Sequence, residues 1–155
     1  MINNVRQKSV RKKTASRIAA IQVLYIYNFN NESLGNSINI FEKNYRKFLL
    51  KELNIKGLDC TLFNDLLNNY EKYKSKIDKI IKNHLSKNWK IERLGINELD
   101  ILRLSVFELC FLKKFDNKKI INEYVSIFQN FCGNPNFANG FLNKILSIRS
   151  MNLNG

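Results

Sequence analysis

The chain has 155 residues, 45% of them apolar and 12% aromatic, and a formal net charge of +13 from 26 Lys+Arg against 13 Asp+Glu. This apolar content excludes an intrinsically disordered chain, and the length is sufficient to bury a core without a disulfide or a structural metal. Because no stretch reaches about 18 uninterrupted apolar residues and no apolar segment precedes a small-residue cleavage site, neither a membrane span nor a secretory signal is predicted.

The positive charge is concentrated at the N-terminus, where no acidic residue occurs before Glu32. The cations of this region are Arg6, Lys8, Arg11, Lys12, Lys13 and Arg17. Cations at the start of a helix oppose the helix dipole, so a polyanionic partner explains them better than the helix does. The cluster Arg11, Lys12, Lys13 and Arg17 therefore predicts contact with nucleic acid. AT-rich codons, which favour Lys, Asn and Ile, are a competing source of part of the charge.

Few turn signals occur and strand-type alternation does not persist, so the whole chain is predicted to be helical. The first helix is predicted over about Lys13–Phe29 and the second near Ser37–Leu53, with a polar loop between them. Their inner faces, at helical spacing, comprise Ile18, Ile21, Tyr25 and Phe29, then Phe41, Tyr45, Phe48 and Leu49. Gly57 is predicted to end one element, and Asp59 to cap the next.

The third helix carries Leu62 to Tyr70, and the sequence leaves open whether it continues to Leu85 or breaks near Ser75. Residues 88–96 form a predicted connector that Trp89 anchors. The following segment, Asn97–Lys113, is apolar on nearly all sides, which indicates a central helix packed by neighbours all round.

The last two helices are predicted over Asn117–Phe131 and from Pro135 to about Ile148. The inner face of the first of them comprises Ile120, Ile121, Tyr124, Val125, Phe128 and Phe131. Asn134 suits an N-cap and Pro135 the first helical position. Phe137 follows a tight loop, so its ring is a candidate for half-exposed contact with an RNA base, with burial in the core as the alternative.

The sequence offers no constellation of catalytic or metal-binding residues. His84 is the only histidine, no Cys or His pair has zinc-ligand spacing, and no glycine-rich phosphate loop is present. We therefore predict a protein that is not an enzyme and that needs neither a cofactor nor a metal. The three widely spaced cysteines favour reduced thiols in the cytoplasm.

Three segments together resemble the NusB family. The first, "ASRIAAIQVLY" (Ala15–Tyr25), is similar to the family's basic first helix with R-x-x-A-x-Q-x-L-Y. The second, "WKIERLGINELDILRLSVFEL" (Trp89–Leu109), is similar to its W-x-x-x-R-(L)…(D/E)-x-x-I-L-R-x-x-x-(Y/F)-E-L core. The third, from "INEYV" to "FANGFLNKIL" (Ile121–Leu146), is similar to its I-N-E-A-V…F-V-N-G-V-L-(D/N)-K-I ending. In this order they span nearly the whole chain.

The resemblance implies an all-α fold of about seven helices in two packed helical bundles, forming one domain. The bundles are expected at about 13–86 and 89–150, with flexible ends at 1–11 and 151–155. It implies a transcription antitermination factor that binds boxA RNA of nascent ribosomal RNA transcripts together with the ribosomal protein NusE. Other Nus factors and RNA polymerase are implied as indirect partners.

The resemblance also assigns residues to these partners. RNA contacts fall on Lys12, Lys13 and Arg17, extended to Arg11 by charge, and on Phe137. The residues expected to contact NusE are Tyr25 and Glu98, with Asp100 and Arg103 close by in the sequence. Glu108 matches a motif position whose role is expected to be structural.

The sequence departs from the family pattern at a few positions. Tyr124 replaces the alanine of I-N-E-A-V and must repack its surroundings, and Ala138 replaces the valine of F-V-N-G. Two alternative functions stay open: an adaptor that binds proteins without RNA, and a NusB-like domain related to ribosomal RNA methyltransferases. Against the second, the helical part is expected to use up the 155 residues and leave no cofactor-binding domain.

Overall fold

The structure is a computed structural model that describes residues 10–85 and 90–153. Throughout these residues the regular structure is helical and no strand occurs, which confirms the all-α prediction. The α-helices are α1 (Lys12–Asn30), α2 (Leu34–Asn44), α3 (Arg46–Glu52), α4 (Cys60–Asn68), α5 (Tyr70–His84), α6 (Ile96–Phe107), α7 (Asn117–Cys132) and α8 (Pro135–Leu153). A 3₁₀ turn at Ile91–Arg93 precedes α6, and a π-helical turn at Glu108–Leu112 follows it.

Helix α1 matches its predicted range within one residue at each end. The side of the helix that carries Ile18 is covered only in the first half of α1, and the same side is open two turns later. Tyr25 and Phe29 are therefore 39% and 72% exposed, and the prediction that they complete the inner face is wrong. The core contacts of α1 come instead from small and branched residues: Ala15, Ile18, Ala19, Val23 and Ile26.

The second predicted helix is divided into α2 and α3, because the backbone of Tyr45 leaves the helical region (φ −121°, ψ −26°). Ser33 caps α2 by accepting a hydrogen bond from the Asn36 N–H at 3.1 Å. Phe41 and Leu49 are buried as predicted, whereas Tyr45 and Phe48 are exposed. The break at Tyr45 interrupts the helical register on which their predicted burial depended.

Asp59 caps α4 as predicted, since its Oδ1 accepts a hydrogen bond from the Leu62 N–H at 3.1 Å. The helical segment that follows does not break near Ser75. It breaks at Asn69 (φ −111°, ψ 6°), so α4 and α5 are separate helices. Together with the break at Tyr45, this accounts for eight α-helices in the described residues where about seven were predicted.

Helix α6 is buried on nearly all sides, as predicted for a central helix. Its core residues are Ile101, Leu102, Leu104, Val106 and Phe107. The π-helical turn extends it to Leu112, and Lys113 in the left-handed region (φ 53°) ends it. Trp89, the predicted anchor of the preceding connector, lies outside the described residues.

The caps of the last two helices follow from short polar side chains. Asp116 caps α7 by accepting from the Lys119 N–H at 3.3 Å, and Gly133 ends α7 in the left-handed region (φ 82°). Asn134 then accepts from the Phe137 N–H at 3.4 Å, and Pro135 is the first residue of α8, as predicted. Phe131 is exposed because it lies in the last turn of α7, so its predicted place on the inner face is wrong.

Glu108 and Tyr124 form a buried polar pair between the π-helical turn and α7. The Tyr124 hydroxyl donates a hydrogen bond to Glu108 Oε2 at 2.5 Å, and both residues are fully buried. The bulky residue that departs from the family pattern therefore gives the buried carboxyl group a donor. This contact is the repacking that the departure at Tyr124 required.

The described residues fall into two compact helical units, one up to Asn64 and the other from Asp65 onward. Within the first unit α1 packs on α2, and in the second α5 packs on α6, α6 on α7, and α7 on α8. The division thus lies within α4, and α5 belongs to the second unit, although the sequence placed it in an N-terminal bundle at about 13–86. The reason is its apolar side, where Ile77 and Ile81 are fully buried.

Candidate RNA and partner surfaces

The start of α1 presents three consecutive exposed cations. Arg11 is the N-cap, with an extended backbone (φ −64°, ψ 146°) and no side-chain capping hydrogen bond, and Lys12 and Lys13 follow it. No acidic residue lies in the first turn. The first N–H groups of a helix lack intrahelical acceptors, and with three cations beside them they form an environment suited to an anion.

This first turn is fixed in the first unit by a buried hydroxyl group. Ser16 Oγ accepts a hydrogen bond from the Asp59 N–H at 2.8 Å and has the carbonyl oxygens of Lys12 (2.8 Å) and Asp59 (3.0 Å) as acceptors. Asp59 is itself held as the cap of α4. The backbone that carries the cations is therefore anchored, while their side chains extend into solvent.

Arg17 does not belong to the exposed cluster, although the sequence placed it there. It is only 4% exposed, so its guanidinium is not accessible to a phosphate in this conformation. One turn beyond Lys13, α1 has entered the core, and the side chain at residue 17 is covered. We therefore confine the candidate RNA surface of α1 to Arg11, Lys12 and Lys13.

Phe137 lies in the first turn of α8 with a half-buried ring, as the sequence predicted. The ring centroid is 6.0 Å from that of Phe128 and 6.2 Å from that of Phe141, with which it stacks. The ring is thus supported by core aromatic residues and partly accessible to solvent. A supported, partly open ring is suited to stacking on a base.

Tyr25 is exposed and stacks on Phe29, one turn further along α1. Their ring centroids are 5.7 Å apart and the ring planes differ by 13°. Both were predicted on the inner face of α1, and the family resemblance implied a partner contact for Tyr25 only. The signal for Phe29 was its position four residues after Tyr25, which brings two side chains together on a helix. The pair forms an exposed aromatic surface of the kind enriched at protein interfaces.

Glu98 is half-buried in the first turn of α6, close to Cys132 at the end of α7. Burial, and then the negative charge of Glu98, raise the pKa of the Cys132 thiol to about 11. A partly open carboxylate at this point can receive a cation from a partner.

Asp100 and Arg103, also predicted on the partner side, are engaged within the second unit. Arg103 Nε and Nη2 donate to the two carboxylate oxygens of Asp78 at 2.7 and 3.3 Å. Arg103 Nη1 lies 3.5 Å from Asp100 Oδ1, and Asp100 is fully buried. This placement contradicts a direct role for Asp100 at a partner surface, because a partner cannot reach a carboxylate without solvent access. We leave both residues out of the candidate surface.

The remaining chemical groups give no sign of a catalytic centre in the described ranges. His84 Nδ1 lies 2.6 Å from the carbonyl oxygen of Ile80, one turn back in α5. Within residues 10–85 and 90–153, no three His, Cys, Asp or Glu side chains are grouped as metal ligands. None of the helices described combines the length and the apolar character that a membrane crossing requires.

Comparison with known proteins identifies the family. The NusB family model matches residues 14–147. The transcription antitermination protein NusB of Clostridium novyi (strain NT) is 30% identical over 133 residues, which cover 84% of this chain and 95% of that protein.

Solved structures agree with this match. A chain in the structure of antitermination factors NusB and NusE in complex with dsRNA has a TM-score of 0.68 and 28% identity, covering 93% of this chain and 98% of that one. NusB from Aquifex aeolicus has a TM-score of 0.66 and 28% identity, covering 89% of each chain. The motifs, the helical fold and these matches together show that this chain belongs to the NusB family.

Proposed function

We propose that this chain is an RNA-binding transcription antitermination factor that binds boxA-type RNA together with a NusE ribosomal protein. The proposal is supported by its family, by relatives that are antitermination proteins, and by the similar chain that binds NusE and dsRNA. The observation that carries it is the exposed, acid-free cluster of Arg11, Lys12 and Lys13 at an anchored helix start.

The cluster would supply affinity more than sequence preference. Three cations that each neutralise a phosphate contribute a slope of about −2 to a plot of log K against log salt concentration, at about −0.7 per contact for a single strand. Base selectivity must come from other groups, because phosphate contacts carry no sequence information. Phe137 is our candidate for stacking on an unpaired base.

NusE is proposed to bind at Tyr25 and Glu98, and we add Phe29 to the first of these because its ring stacks on Tyr25. Aromatic side chains are frequent energetic centres of protein interfaces, and a half-buried carboxylate can pair with a partner cation. A second protein that extends the RNA surface raises the affinity without any new chemistry in this chain. The proposed role is therefore one of binding in the cytoplasm, with no catalytic step.

An RNA-independent adaptor is the second candidate, and the burial of Arg17 favours it, since that burial removes one of the four predicted RNA cations. An adaptor would use Tyr25, Phe29 and Glu98 alone. The two functions differ in what the cations at the start of α1 contribute to complex formation.

The test is fluorescence anisotropy with labelled boxA RNA and a scrambled RNA, across a salt series, with and without NusE. The variant Arg11→Gln/Lys12→Gln/Lys13→Gln should flatten the salt slope by about 2. The variant Lys47→Gln/Lys51→Gln/Lys56→Gln removes the same charge from other exposed positions and should leave the slope nearly unchanged.

Thermal melting separates loss of binding from loss of fold. The α1 variant should be as stable as the parent or slightly more stable, because it removes cations from the positive end of a helix dipole. Binding of boxA RNA by the α1 variant with the affinity and salt slope of the parent would contradict the proposal. Binding of NusE with no RNA selectivity would establish the adaptor.

A further inference from the structure

We propose that an exposed row of lysines on α5 is a second phosphate-binding surface, which contacts RNA that continues beyond the boxA element. The row, which we call the α5 lysine row, consists of Lys72, Lys76, Lys79 and Lys82. The inference rests on the proposed RNA-binding function and adds to it a surface in the second unit.

In the sequence of α5, five lysines are interleaved with Glu71 and Asp78, but the structure separates the signs. Asp78 is turned toward Arg103 and holds it through two hydrogen bonds, so its charge is compensated within the fold. The other acidic residue of the helix, Glu71, lies in the first turn, where the helix dipole favours it. Apart from Glu71 at its start, the exposed side of α5 that carries the row has only cationic or polar side chains.

Lysines at spacings of four, three and three residues are neighbours on one helix face. Like charges at this spacing repel and destabilise an isolated helix by about 0.2–0.5 kcal/mol per pair. Repulsion within the row thus opposes the stability of α5, although the helix dipole favours Lys82 in the last turn. A polyanion that lies along α5 would relieve this repulsion.

Two of the lysines are partly ordered before any partner binds. Lys72 Nζ and Lys76 Nζ lie 5.5 and 5.9 Å from the centroid of the Tyr73 ring, within the range of a cation–π interaction. Tyr73 is fixed in turn by stacking on Phe111, at 4.7 Å between centroids. Ordering of the ammonium groups lowers the entropy that they lose on binding.

The dimensions and composition of the face favour RNA over a protein partner. From Lys72 to Lys82 the helix rises about 15 Å, long enough to follow several successive phosphates of one strand. The other exposed residues of this face, Ser75 and Asn83, are polar. Protein interfaces depend on an exposed apolar or aromatic centre. Here the half-buried Tyr73 ring has two lysine ammonium groups over it, and phosphate contacts need only cations and polar donors.

The experiment measures the salt dependence of binding to a boxA RNA extended by single-stranded leader sequence, with NusE present. The row variant Lys72→Gln/Lys76→Gln/Lys79→Gln should flatten the log K against log salt slope by about 2. Restoring the charge with Lys72→Arg/Lys76→Arg/Lys79→Arg should restore the slope. The control is again Lys47→Gln/Lys51→Gln/Lys56→Gln, which changes the net charge equally. Melting curves should show that all four proteins are folded, with the row Gln variant as stable as the parent or slightly more stable because it loses like-charge pairs.

Each outcome bears on the inference. A row variant with the slope of the parent overturns it, and so does a control variant that flattens the slope equally, since net charge would then explain the effect. If the parent binds boxA RNA selectively and only the α1 variant loses slope, the proposed function stands and this inference fails. If the parent binds RNA without selectivity but the row variant loses slope, this inference stands and the boxA function fails.

Discussion

Replacing Tyr124 by phenylalanine tests whether the buried pair with Glu108 stabilises the fold. The change removes only the hydroxyl that donates to Glu108 Oε2 at 2.5 Å, and the ring keeps its packing. A buried acceptor that loses a donor costs about 1–3 kcal/mol, which for a chain of this size lowers the melting temperature by roughly 2–4 °C per kcal/mol. Urea denaturation followed by far-UV circular dichroism measures the free energy of unfolding directly.

The loss of stability caused by Tyr124→Phe should depend on whether Glu108 is present. In a double-mutant cycle, Glu108→Gln and Tyr124→Phe should show a coupling energy above about 0.5 kcal/mol, as expected for groups in contact. Tyr45→Phe is the matched control, because Tyr45 is exposed, and it should change stability by less than about 0.5 kcal/mol. A Tyr124→Phe protein within about 0.5 kcal/mol of the parent, or additive single changes, would refute the assigned contact.

Two further predictions concern Gly133 and Cys132 at the end of α7. Gly133→Ala should destabilise the protein by about 1–2 kcal/mol in urea denaturation, because Gly133 has φ +82°. The control Gly57→Ala should be neutral or slightly stabilising, because Gly57 has open space around it and no positive φ. Equal effects at both positions would contradict the reasoning. Since burial and the charge of Glu98 raise the pKa of Cys132 to about 11, Glu98→Gln should lower that pKa and speed the alkylation of Cys132 at pH 8–9. Peptide mapping after iodoacetamide treatment measures the rate, with Cys110 as the internal reference, and an unchanged Cys132 rate would show that the carboxylate does not act on the thiol.

Local signals predicted the helix starts at Asp59 and Asn134, but they missed the cap at Ser33, so α2 begins at Leu34 and not near Ser37. Asp59 and Asn134 each supply a hydrogen-bond acceptor to the first turn of the next helix, and the structure has both bonds. Such caps act over three or four residues, so the sequence alone is sufficient to locate them. The break at Asn69 has no comparable signal, because Asn69 accepts no capping hydrogen bond.

The burial of aromatic residues was harder to predict than the helices that carry them. Phe29, Phe48 and Phe131 have the spacing of core residues, yet all three are exposed. Spacing identifies the side chains that share a face, but not how far along the helix a neighbouring element covers that face. The same limit applies to Arg17 and Asp100, whose charges suggested accessible positions and whose side chains are buried. Both the predicted RNA surface and the predicted partner surface lose members for this reason.

The arrangement of acidic residues separates functional charge from charge supplied by codon usage. AT-rich codons add lysines throughout a chain, so the number of lysines alone says little about function. Four acidic residues have specific tasks in this fold: Asp59 and Asp116 cap helices, Asp78 holds Arg103, and Glu108 accepts from Tyr124. Each of these carboxyl groups is directed at a group within its own unit. The start of α1 has no acidic residue in its first turn, and the α5 lysine row consists of four exposed lysines whose mutual repulsion opposes helix stability. Codon usage predicts no such avoidance, whereas a requirement to bind phosphates does.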